Sequence, residues 1–173
     1  MKNVFIIFFL SFFYCYSVYA NEVTKNDLNY QDGVAYEKGS NIPFTGFLKE
    51  YLKDGSLHYK LKLENGLLNG ISYTYHANQQ IHHLLHYKDG KEEGLQLMFY
   101  ESGKILLIEN YEDDEVHGKS FVYYENGKLK QKKYYKNGKK EGLFENYYEN
   151  GELKNTGEYK DDVVISCEGE CEE

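Results

Sequence analysis

A chain of 173 residues, 41% hydrophobic and 28% charged, has the balance of a folded protein and the length of about one domain. Every one of its 20 basic residues is lysine, set against 28 acidic residues for a net charge of -8. With no arginine to read phosphate bidentately and an acidic surface to repel it, nucleic acid is excluded as an expected partner.

The N-terminal segment 1–20 reads as a cleaved signal peptide. Lys2 gives a positive start, residues 4–13 form an apolar run, and Val18-Tyr19-Ala20 supplies a cleavage site before Asn21. The run is short of the ~20 residues that a spanning helix needs, so no stable membrane insertion is expected after cleavage. Acylation of Cys15 is the alternative, opposed by the bulky Phe12, Phe13 and Tyr14 before it. The mature chain is therefore expected in the periplasm, in the cell envelope or outside the cell, with only Cys167 and Cys171 remaining as a disulfide candidate.

Residues 21–45 carry an irregular Tyr-x-Asp-Gly pattern, expected as an N-terminal capping hairpin. From Gly46 the chain becomes periodic. Glycine recurs at Gly46, Gly70, Gly94, Gly118 and Gly142, so the repeat is 70 − 46 = 24 residues. An aromatic column follows at Tyr51, Tyr75, Phe99, Tyr123 and Tyr147, then an aliphatic one at Leu57, Ile81, Ile105, Leu129 and Leu153. Turn pairs such as Asn126-Gly127 and Asn137-Gly138 divide each unit into runs too short for helices. Five two-stranded units over 46–165, with an acidic cysteine-bearing tail at 166–173, give an all-β fold: an elongated, single-layer antiparallel meander of repeated β-hairpins.

Loop length decides which columns share a face. A three-residue loop such as Glu125-Asn126-Gly127, with its glycine left-handed, puts Tyr51 beside Leu57, whereas a two-residue loop would separate them. Because 24 is even, all odd-numbered apolar residues are then expected on one face. They include Phe47, Leu61, Leu63, Tyr73, Leu85, Tyr87, Leu97, Leu107 and Tyr111. That face is expected either to be covered by twist and the capping segments or to receive a partner, with Tyr51, Tyr75, Phe99, Tyr123, Tyr147, Leu57, Ile81 and Ile105 as its binding residues.

The stretch Phe44-Thr45-Gly46, the recurring Tyr-x-x-Asn-Gly-x-Leu and the closing Gly138-Lys139-Lys140-Glu141-Gly142 resemble the MORN-repeat variant of bacterial proteins labelled YwqK-family antitoxins. The resemblance covers residues 28–162. It implies a scaffold that binds a protein without catalysis, neutralising its partner by contact.

No Gly-x-Ser-x-Gly elbow, His-Glu-x-x-His pair or phosphate-binding Gly-Lys-Ser/Thr occurs, so neither catalysis nor a cofactor is expected. His58, His76, His82, His83 and His86 are expected as a solvated face; His82 and His86 are ~13 Å apart along one strand and cannot share an ion, which leaves only His76 with a cross-strand neighbour able to chelate one. Lys128, Lys130, Lys132, Lys133, Lys136, Lys139 and Lys140 are expected to solvate the sheet and discourage sheet-to-sheet pairing, with a site for an acidic partner as the alternative. Two functions follow: an exported, non-catalytic protein-binding module of antitoxin or immunity type, or a structural envelope component that self-associates or binds cell-wall polymer.

Overall fold

The structure is a computed structural model and describes residues 21–169. The expected signal segment, Cys15 and Cys171 lie outside the described residues. Within them the protein is a 16-stranded sheet of consecutive hairpins and a separate two-stranded hairpin. One 3-10 turn, Lys25–Asp27, is pinned by the Asp27 carboxylate, which accepts both the N–H and the hydroxyl of Thr24.

Each repeat begins with a six-residue strand: Gly46–Tyr51, Gly70–Tyr75, Gly94–Phe99, Gly118–Tyr123 and Gly142–Tyr147. An eight-residue strand pairs back on it: Leu57–Glu64, Ile81–Lys88, Ile105–Glu112, Leu129–Lys136 and Leu153–Lys160. The loops between them are the expected three-residue loops. In the fourth repeat, Tyr124 N–H donates to Lys128 C=O at 2.8 Å, Gly127 N–H donates to Tyr124 C=O at 2.8 Å, and Gly127 has φ 85°. That is a type I turn closed by a left-handed glycine.

A tighter turn ends each second strand. Asn65 and Gly66 both have positive φ, 51° and 80°, the type I′ geometry that the strand twist favours. These turns also bond to one another. The N–H groups of Gly90, Asp114, Gly138 and Asp162 donate to the carbonyls of Leu68, Glu92, Val116 and Lys140, each in the preceding repeat. Asp162 keeps this bond at φ 71° although it replaces the glycine.

The expectation that one parity faces one way fails, for a definite reason. Tyr51 does oppose Leu57, but Glu50 opposes Tyr59, leaving His58 as a bulged extra residue. The same shift recurs before Tyr75, Phe99, Tyr123 and Tyr147. Each bulge inverts the parity of the rest of its strand. A second irregularity follows the type I′ turn: Lys62 N–H finds not a carbonyl but the hydroxyl of the buried Ser72, at 3.0 Å.

Two distinct faces result. One carries the aromatic–aliphatic pairs together with Phe47, Ile71, Tyr73, Leu84, Leu95, Leu97 and Ile108; we call it the pair face. The other is the glycine face, on which Gly70, Gly94, Gly118 and Gly142 stand directly opposite Tyr87, Tyr111, Tyr135 and Tyr159. A ring lying across from a glycine shields the backbone that a missing side chain exposes. Leu61, Leu63, Leu85 and Leu107, expected beside Tyr51 and Tyr75, belong to the glycine face instead.

The hydrophobic core sits at the N-terminal end of the glycine face. Val23, Leu28, Ala35, Phe44, Leu48 and Leu63 are buried together, with Tyr59, Leu61 and Leu68 packed against them. The strand Glu22–Thr24 pairs parallel to Gly46–Tyr51, and the hairpin Leu28–Gln31 with Val34–Glu37 covers the first repeat. The capping segment thus shields the glycine face of one repeat and leaves the pair face open.

Candidate functional site

The three-residue loops bring the expected binding residues into register. Tyr51 pairs with Leu57, Tyr75 with Ile81, Phe99 with Ile105, Tyr123 with Leu129 and Tyr147 with Leu153. Successive pairs are two strands apart, ~9.6 Å, and form one ladder beside the loops. Tyr51, Ile71, Leu95, Ile105, Leu143 and Leu153 are large apolar side chains exposed on this face. Across the second and third repeats its interior is interrupted by His86 and Asn110, with the charged Lys88 and Glu112 at the strand ends. An apolar surface this continuous is larger than a folded monomer usually exposes. Toward the C-terminal end it becomes charged, with a Lys132–Glu145 ion pair at 2.5 Å.

A column missed in the sequence fixes the ladder's rungs. In the second, third and fourth repeats the residue after the aromatic reaches into the next repeat: His76 Nε2 meets Phe99 C=O at 2.8 Å, Tyr100 OH donates to Tyr123 C=O at 2.7 Å and Tyr124 OH donates to Tyr147 C=O at 2.7 Å. A carbonyl acceptor requires the proton on His76 Nε2. His76 is therefore the structural equivalent of two tyrosines, and the signal was its place in their 24-residue column.

Three of the histidines, His76, His82 and His83, form a stack, while His58 is exposed as expected. His82, in the bulge, has ring centroids 4.3 Å from His76 and 4.0 Å from His83, and Thr74 Oγ1 lies 3.2 Å from His83 Nδ1. Burial, then the neighbouring imidazoles, hold His82 and His83 below the ordinary histidine range. Folded pKa values depressed below the unfolded ~6.5 mean that the unfolded chain binds more protons. Stability from these groups is thus full above about pH 6.5 and declines as pH falls toward the folded values. The urea midpoint should drop between about pH 7.5 and 5.5, above the carboxylate range, and the drop should shrink in His82→Asn/His83→Asn. An unchanged drop in that variant refutes the assignment.

The lysines of the fourth repeat disperse. Lys128 Nζ donates to Asn150 C=O at 2.6 Å, Lys139 lies 3.8 Å from Asp161, and Lys140 sits over the Phe144 and Tyr159 rings. They form no single basic surface. Cys167 is disulfide-bonded and lies in the edge strand Val163–Gly169, away from the ladder.

On the glycine face, polar side chains missed in the sequence line the floor. Ser72, Gln96 and Ser120 are buried two residues after their repeat's glycine, where the first and fifth repeats have Leu48 and Phe144. Ser120 donates to Glu109 Oε1 at 2.8 Å and Tyr111 OH donates to Glu109 Oε2 at 3.3 Å. Burial, then the Glu92 charge, pushes the Tyr87 hydroxyl up to about 12, and burial with Glu109 does the same to Tyr111. Both phenols are neutral donors throughout the physiological range.

The family model described as MORN repeat variant matches residues 92–113, 116–137 and 140–161, which are the third, fourth and fifth hairpin units. Among curated proteins no match is found. Among solved structures, a crystal structure of TarM aligns over 61% of this chain and 21% of that one, at 15% identity and a TM-score of 0.37. This chain therefore spans about a fifth of that protein's length.

Proposed function

We propose that the chain is an exported, non-catalytic repeat protein that binds a partner protein on its pair face, in the manner of an antitoxin or immunity protein. One observation carries the reading: five aromatic–aliphatic pairs in register on a face that the capping segment leaves open. The MORN repeat variant match supports it, because such repeats serve as interaction modules. Export rests on Lys2, the apolar run 4–13 and the site after Ala20.

The rigid cross-strand rings present large contact area at little entropic cost, the property that makes aromatic residues dominate binding energy. Phe99→Ser with Leu95→Glu removes a central rung and places a charge on exposed surface. Affinity for a partner captured from the envelope fraction should fall by at least about a hundredfold, or ~3 kcal/mol, while the thermal melt remains cooperative. Equal capture by the variant would exclude this face.

A further inference from the structure

The glycine face carries a second site. Its floor is closed at the N-terminal end by the capping core over Leu48 and Leu63, and at the other end by Phe144, whose ring lies 4.5 Å from Tyr159 and 5.6 Å from Tyr135. Between these apolar ends the floor turns polar. Gln96 stands opposite Glu109, and Ser120 opposite Lys133.

Gln96 is 9% exposed, and its Nε2 has no hydrogen-bond partner. A buried, unpaired amide is costly to folding, and folding alone gives no reason to keep one where Leu48 and Phe144 fill the equivalent positions. Glu109 supplies acceptor oxygens beside it, and Lys133 supplies a half-buried ammonium. Amide, carboxylate, hydroxyl and ammonium thus converge on one section of the floor, between the buried Leu48 and Phe144 at its two ends. Tyr87, Tyr111 and Tyr135 flank this section two strands apart, ~9.6 Å.

From this arrangement we infer that the glycine face binds an extended glycan along the long axis of the sheet. Sugar hydroxyls both donate and accept, which suits a floor that mixes carboxylate with amide and ammonium. An anion would be repelled by Glu109 and a cation by Lys133. The tyrosine spacing is close to one disaccharide unit of an extended β-1,4-linked chain, so successive units would meet equivalent rings. An extended peptide repeats every two residues at ~6.6 Å, out of step with the rings, and a sheet face offers it no backbone ladder.

Titration calorimetry of the full exported chain with cellopentaose and with chitopentaose tests the site, with a serine–threonine decapeptide run alongside. Binding of at least one oligosaccharide is expected, weakened about tenfold or more by Gln96→Leu and by Lys133→Met, each of which removes hydrogen bonds to the ligand. Gln96→Leu should keep or raise the melting temperature, since it removes an unpaired amide. Leu95→Glu on the pair face should leave sugar binding unchanged, which separates this site from the partner-binding face. No heat with either sugar, equal binding by both floor variants, loss of sugar binding in Leu95→Glu, or capture of the decapeptide without the sugars would each overturn the assignment.

Discussion

Phe44→Ala should destabilise the N-terminal third of the protein by about 3–5 kcal/mol, the ordinary cost of emptying a buried phenylalanine site. Phe44 is 3% exposed, and its backbone joins three elements: its N–H donates to Ala35 C=O at 2.9 Å, and its C=O accepts Gly66 N–H at 2.7 Å. The ring belongs to the cluster of Val23, Leu28, Leu48 and Leu63 that holds the capping hairpin on the first repeat. A two-stranded hairpin is marginal alone, so loss of the ring should release the cap as a unit. Later repeats contact only their neighbours and should remain folded. Hydrogen exchange would show this as lost protection in residues 28–64 with protection retained in 118–160. Uniform loss across all five repeats would contradict the local character of the array.

Gly66→Ala should cost far more than Gly138→Ala, although the two glycines occupy equivalent turn positions with φ of 80° and 76°. The left-handed backbone charges either alanine about 1–2 kcal/mol. At Gly138 the nearest atoms to a new Cβ belong to the flexible Glu115 side chain, at 3.9 Å. At Gly66 a Cβ would lie 2.7 Å from the Ala35 carbonyl oxygen and 2.9 Å from the Ala35 nitrogen. Those atoms are backbone of the cap, and Ala35 N–H donates to Gly66 C=O at 2.9 Å, so the turn and the cap cannot separate without losing that bond. Overpacking of this kind adds about 1–3 kcal/mol, and denaturant titration of the two variants should differ by at least that amount. Equal midpoints would mean that the cap does not seat on the first turn.

The repeat, its two turns and the rungs of the pair face were legible because each rests on a residue type with a local cause. Gly127 needs a left-handed φ, Asn137-Gly138 suits a type I′ turn, and these loops alone force Tyr51 opposite Leu57. The assignment of whole faces failed because the bulged position has no signature. It is His58, His82, Leu106, Lys130 and Lys154 in successive repeats, and only the pairing of the neighbouring strand reveals it. The polar floor was hidden for the same reason, since Ser72, Gln96 and Ser120 have the parity that reads as solvent-facing. Their regular place two residues after each column glycine, in line with Leu48 and Phe144, was the available clue.

Photo-crosslinking tests the partner-binding reading most directly. With a benzophenone amino acid at Leu95 on the pair face, and separately at Met98 on the glycine face, irradiation in the producing cells should yield a discrete protein adduct from position 95 and none from position 98. A protein adduct from position 98 alone, or from neither, would contradict the account.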